Sequence, residues 1–238
     1  MGDFSLVLRE VRDEASETKT FLFDADGLAG AEAGQYLIFK LDVPADPRRG
    51  TRSFTMSNAP GERPVMLTTR IRSTSPFKQS LASMTPGAQI AAKGPFGKFT
   101  LHAGDSPALF LAGGIGVTPF RSIVKHALDA GRSIPMTLLT SDRTPEAIPF
   151  RETMDAWARA RPTFRVFRTI TKPGASQQPW PDRVGRIDAH WIREHMSRAK
   201  DTTVYVAGAP PFVADMRAAL QEVGVADDRV RAEQFIGY

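Results

Sequence analysis

Between residues 101 and 108 the hydrophobic rhythm of the chain changes, and that change limits the folds open to it. Upstream, FSLVLREV (4–11), TKTFLFDA (18–25), GQYLIFKL (34–41), RSFTMS (52–57), PVMLTTRI (64–71) and AQIAAKG (88–94) are short strand-like runs. In the fifth run Val65, Leu67, Thr69 and Ile71 alternate with Met66, Thr68 and Arg70, the two-residue period of a half-buried strand. Glycines and prolines such as Gly34, Gly50, Pro60, Gly61, Pro64 and Gly87 punctuate the series. Six short strands at this spacing predict a small antiparallel barrel, with Pro76–Met84 as its one helix-like segment.

Downstream, PALFLA (107–112) is continuously apolar, as a strand buried on both faces requires. The segment after it carries Phe120, Ile123, Val124, Ala127 and Leu128 at helical spacing; Thr118 can cap that helix, Pro119 fits its first turn and Gly131 can end it. PMTLLTS (135–141), TFRVFRTI (163–170), TVYVAG (203–208) and RVRAEQF (229–235) read as further strands. TPEAIPFRETMDAWARA (144–160), Asp188–Met196 and PFVADMRAALQEVG (211–224) read as helices. Strand–helix alternation of this kind predicts an open parallel sheet in a three-layer α/β domain. The expected boundary lies near His102–Ser106, giving a barrel domain over 1–103 and an α/β domain over 104–238.

Composition narrows the chemistry. The 238 residues include no cysteine, which removes disulfides, thiolate nucleophiles and cysteine-ligated iron–sulfur or zinc centres held by this chain. His102, His126, His190 and His195 lack the close spacing of a helical zinc motif, so no protein-bound metal is expected. No apolar run approaches membrane-spanning length and the first thirty residues do not resemble a secretory leader, so the expectation is a cytoplasmic protein without membrane insertion. A monomer is the default. The net charge of +5 is unevenly placed: residues 48–98 hold nine bases and one acid, Glu62, leaving −3 for the rest. Such a segment is a solvated face, a site for an anionic cofactor, or a surface for an acidic partner. No recognition helix or RNA-binding motif accompanies it, so a nucleic-acid partner is not expected.

Two glycine-rich turns follow strands and open helices. In LAGGIGVTPF, Gly113, Gly114 and Gly116 make the turn, and Thr118 and Pro119 open the helix. Small residues there let a ligand approach the backbone, and orphan amides at the helix start attract phosphate. Pro119 departs from G-x-G-x-x-G, and the glycines can equally serve tight geometry alone. Ala207, Gly208 and Pro210 form the second turn; two such strand ends in one sheet can frame an extended nucleotide. In the barrel half, Arg52 can meet a diphosphate bidentately, Phe54 can pack on a flat ring and Thr55 can hydrogen-bond it. The same alternation can instead put Phe54 in the core and Arg52 in water.

The ordered set RSFTMSN, KGPFGKF, LAGGIGVTPF, TSDRTPEAIPF, YVAGAPP and EQFIGY resembles the ferredoxin–NADP reductase family across essentially the whole chain. The resemblance implies a flavin-binding barrel and a pyridine-nucleotide domain. It implies FAD contacts within Arg52, Ser53, Phe54, Thr55, Met56, Ser57 and Asn58, where Phe54 and Thr55 stand for the family's usual Tyr and Ser and Asn58 occupies a frequent Ser/Thr position. Phe77, Lys78, Gln79 and Ser80 resemble a further flavin-phosphate segment, and Gly94 and Gly97 the turn before the linker. Gly113–Pro119 would meet nicotinamide-nucleotide pyrophosphate, with Thr118 close to nicotinamide and flavin; Ala207 fills a position where many relatives have cysteine. Ser141 and Arg143 match the adenosine-ribose region, Arg143 favouring NADPH over NADH, unless Arg143 is a surface partner of Glu146. Glu233, Phe235 and Tyr238 match the family's ending, where Glu233 can protonate or tune the site and Tyr238 can cover the flavin. Thr55, Thr118 and Glu233 are thus the expected catalytic residues. The implied activity is hydride exchange between NADPH and FAD, followed by single-electron exchange with a separate acidic ferredoxin or flavodoxin. Reduction of free flavin, service as an oxygenase reductase component, and a non-catalytic binding protein are the alternatives.

Overall fold

The computed structural model describes residues 2–25, 28, 30–101, 104, 106–197 and 201–236. Two compact units emerge: Met1–Leu101 with Thr118–His126, and His102–Val117 with Ala127–Tyr238.

The first unit is a six-stranded antiparallel sheet of β1 (Gly2–Ala15), β2 (Thr18–Ala25), β3 (Tyr36–Lys40), β4 (Thr51–Thr55), β5 (Val65–Arg70) and β6 (Gln89–Phe96), in the order β4-β3-β6-β1-β2-β5. A bridge between Met56 and Leu67, with the Ser57 amide donating to the Met66 carbonyl at 2.9 Å, joins the two outermost strands and closes the barrel. Inward positions at alternate residues, Leu6 and Leu8, Phe21 and Phe23, Leu37 and Phe39, Val65 and Leu67, fill the interior. The short helix α1 (Pro76–Ala82) adds the buried Phe77 and Leu81 to that core.

The second sheet is parallel throughout, with β7 (Ala108–Gly113), β8 (Met136–Asp142), β9 (Phe164–Ile170), β10 (Arg183–Val184), β11 (Thr203–Gly208) and β12 (Val230–Gln234) in the order β10-β9-β8-β7-β11-β12. The chain enters at the centre, winds outward from β7 to β10, and returns to start again at β11. The reversal between β7 and β11 is a topological switch point of the sheet. Four helices follow: α2 (Thr118–Asp129), α3 (Arg151–Ala160), α4 (Ala189–His195) and α5 (Pro210–Val223). One sheet face packs Leu109, Leu111, Leu139, Val204 and Val206 against Trp191 and Ile192 of α4 and Val213, Met216 and Leu220 of α5. Among the described residues no helix is long and apolar enough to cross a membrane.

Three local expectations change. The helix expected over 144–160 is a 3₁₀ turn, Pro145–Ala147, followed by α3 from Arg151. Pro149 biases Ile148 to extended backbone, and Phe150 then takes a left-handed conformation (φ 56°) before the helix starts. The two-residue β10 has no hydrophobic run to announce it. Thr118 is the first residue of α2 rather than its cap, because a 3₁₀ turn over Gly114–Val117 runs directly into the helix.

Candidate functional site

The barrel unit gathers cations around α1. The Lys78 side chain is buried, and its ammonium is pushed down to about 8 by burial and by the charges of Arg72, Arg52 and Arg70. Burial and like charges together disfavour an ammonium; an anion here would relieve the like-charge part. Arg52, on β4, has its fork on the buried Asp46 carboxylate (Nη1 to Oδ2 at 2.8 Å) and its Cζ 5.3 Å from the centre of the Phe77 ring. Arg70 pairs with Glu17. Asp46 was not singled out by the sequence: it lies two residues outside the basic segment, and only the loop between β3 and β4 brings it to Arg52.

Phe54 is half-buried between Phe39 and Phe77, at ring distances of 5.8 and 5.9 Å. It therefore supports the core while keeping part of its ring exposed. Thr55 and Met56 are buried, and Ser53 faces water. Ser57 is fully buried, with a hydroxyl that has no hydrogen-bond partner. The Asn58 amide nitrogen donates to the Ala59 and Glu62 carbonyls, and its oxygen accepts from the Met66 amide at 2.8 Å. That side chain is spent on shaping the β4–β5 loop. Gln79 likewise donates to the Arg72 carbonyl at 2.9 Å, and the Ser80 carbonyl accepts from Ser83.

The same loop is clamped to the start of α2. Arg121 donates to both oxygens of Glu62 (2.8 and 2.9 Å) and to the Ser57 carbonyl (2.8 Å), while Ser122 donates to the Asn58 carbonyl at 2.7 Å. Burial pushes the Glu62 carboxyl up, but Arg121, the Ala59 amide and Lys125 outweigh it and hold the group below its ordinary value. The sequence signal for this clamp was available, since Glu62 is the one acid in its segment.

At the switch point the glycines have a structural explanation. A Cβ at Gly116 would lie 2.1 Å from the Ala207 carbonyl oxygen, one at Gly113 2.6 Å from the Phe212 ring, and one at Gly208 2.8 Å from the same ring. Close packing of the β7 and β11 turns on each other and on α5 thus requires them. Gly114 differs: its φ is +54° and nothing stands within 4 Å of a Cβ there, so its backbone is the open part of the turn. In the barrel, Gly94 and Gly97 have φ of +153° and +99° and abut Leu37 and Tyr36, which likewise ties them to packing.

On β12, Glu233 stands in register with Ala207. Its Oε2 is buried without a hydrogen-bond partner, and burial pushes the carboxyl up to about 7. The Phe235 amide donates to the Gly208 carbonyl at 2.8 Å, fixing the chain as it leaves the sheet. Tyr238 lies outside the described residues. Ser141 and the exposed Arg143 stand at the carboxyl end of β8, where the Arg143 carbonyl accepts from the Lys172 amide at 2.8 Å. Glu146 accepts from the Ser176 hydroxyl at 2.5 Å, and that bond, first among several, holds its carboxyl low. Among the described residues no cluster of histidine and carboxylate side chains could hold a metal ion.

Residues 110–218 match the oxidoreductase NAD-binding domain family. The chain is 31% identical to ferredoxin–NADP reductase B of Sorangium cellulosum, over 96% of its own length and 91% of that protein. It belongs to the FAD- and NAD(P)-binding oxidoreductases of the ferredoxin–NADP reductase-like superfamily. It is also 31% identical to the flavohemoprotein of Bordetella pertussis, but spans only 59% of that protein's length. The FAD/NAD-binding domain of nitric oxide dioxygenase from Vibrio cholerae shares the fold, with a TM-score of 0.84 at 18% identity over 98% of both chains.

Proposed function

We propose that this chain oxidises NADPH with bound FAD and passes electrons singly to a separate acidic carrier protein of the ferredoxin or flavodoxin class. The observation that carries the reading is the buried Lys78 under the charges of Arg72, Arg52 and Arg70, a cationic cluster that suits a diphosphate. Arg52 and Lys78 would hold that diphosphate; Phe54 and Thr55 would border the ring. Ser141 and Arg143 would take the adenosine ribose and its 2′-phosphate, with Arg143 conferring preference for NADPH. Thr118, Ala207 and Gly208 would position the nicotinamide, and Glu233 would exchange a proton near neutral pH. When bound, FAD supplies the chemistry that accepts a hydride and releases electrons one at a time. The chain's own work is binding, orientation and exclusion of water.

The matches to a longer flavohemoprotein and to the reductase component of a terephthalate dioxygenase from Comamonas support a second reading, in which the electrons pass to a haem domain or an oxygenase component. Anaerobic mixing separates the two. The expected result is that purified protein retains FAD through gel filtration, that NADPH bleaches it faster than NADH, and that an acidic ferredoxin reoxidises it faster than a haem protein does. Failure to take up FAD or FMN would overturn both readings.

A further inference from the structure

We propose that Asp46 is a positioning residue that sets Arg52 for the FAD diphosphate; this rests on the flavin reading above. The Asp46 side chain is 0% exposed and Arg52's is 13% exposed. Asp46 accepts from Arg52 Nη1 at 2.8 Å and Nη2 at 2.5 Å, and from the Gly50 amide at 2.9 Å. Arg52 Nη1 also donates to the Thr51 carbonyl at 2.8 Å. A guanidinium has five N–H donors in a planar fork. Both protons of Nη1 and one of Nη2 are therefore committed, and the Nε–H and the second Nη2–H remain. These two lie on one edge, side by side, in the geometry that grips two phosphate oxygens. The Arg52 Cζ stands over the fully buried Phe77 ring, 5.3 Å from its centre.

Charge alone argues against a carboxylate here, because it cancels one of the cations that an anion would seek. A buried ion pair is also a weak source of stability. Orientation is what Asp46 adds. The loop that presents it is built for the purpose: the Asp46 amide donates to Val43, the Arg49 amide to Asp46, and Leu41 to Gly50. Gly50, at φ +65°, passes so close to the Leu41 carbonyl that a Cβ would sit 1.9 Å from its oxygen.

The test compares FAD with riboflavin, which has the same ring and no phosphate, as fluorescence-quenching titrations of the flavin-free protein. Asp46→Asn is expected to weaken FAD about tenfold, the scale of one charge-assisted hydrogen bond, and to leave riboflavin unchanged. In an Arg52→Ala background the same change should have no further effect. Arg52→Lys, which keeps the charge but not the fork, should lose as much FAD affinity as Arg52→Ala, and decides the matter if Asp46→Asn does not fold. An Arg52→Lys protein with wild-type FAD affinity would overturn the proposal. So would an Asp46→Asn protein that binds FAD normally, or that weakens FAD and riboflavin alike. If Arg52→Ala itself leaves FAD affinity unchanged, the flavin reading fails instead.

Discussion

Glu233 shows how a single side chain joins fold to chemistry. Its carboxyl is pushed up to about 7 by burial, and Oε2 has no hydrogen-bond partner to stabilise a charge. A group whose pKa is raised on folding contributes stability below its unfolded value, near 4.5, and loses it as pH rises through about 7. Glu233→Gln, neutral at every pH, should therefore stabilise the protein most above pH 7. Urea unfolding should show a gain of at most about 3 kcal/mol at pH 8 and a much smaller one at pH 5; equal gains at both would show that burial of charge is not the cause. Glu233 was visible in the sequence through the ending EQF. Asp46 was not, because an aspartate in a proline-containing loop looks like turn chemistry until the fold carries it to Arg52. The loop role of Asn58, which bonds Ala59, Glu62 and Met66, was equally hidden, because a polar residue in such a motif carries no sequence sign of the backbone it will hold.

At the scale of elements, the β7 turn asks why glycine recurs. Gly116 is excluded from growth by the Ala207 carbonyl at 2.1 Å, a backbone atom that cannot step aside, whereas Gly114 only needs its positive φ. Gly114→Ala should cost about 1 kcal/mol of stability through left-handed backbone strain. Gly116→Ala should cost several times more, because β7 and β11 must part; chemical denaturation of the two variants would check the order, and equal losses would contradict it. Strand, glycine turn and helix were all readable in LAGGIGVTPF. The reason for the glycines was not, because ligand approach and turn-on-turn packing demand the same small residue at the same spacing. The barrel strands were readable for a simpler reason: alternation reports one buried face per strand, as at Val65 and Leu67. β10 escaped notice because two residues cannot show a period.

For the molecule as a whole, charge placement connects architecture to partner. Three bases of the +8 segment stand beside acids, Arg52 on the buried Asp46, Arg70 on Glu17 and Lys93 3.9 Å from Asp3. Arg48, Arg49, Arg63, Lys93 and Lys98 are exposed, so the segment keeps a cationic surface. Under the proposed function such a surface would speed encounter with an acidic carrier and leave the hydride step untouched, since long-range steering acts on association. Arg48→Glu with Arg49→Glu should slow reduction of an acidic ferredoxin about tenfold or more at low salt and flatten its salt dependence. The same variant should reduce a small neutral dye from NADPH at the unaltered rate. Stopped-flow rates between about 10 and 150 mM salt, over which the screening length falls from roughly 30 to 8 Å, give the comparison. If ferredoxin reduction by the unmodified protein ignores salt over that range, steering of an acidic carrier is lost, and electron delivery to a haem domain or an oxygenase component becomes the better account.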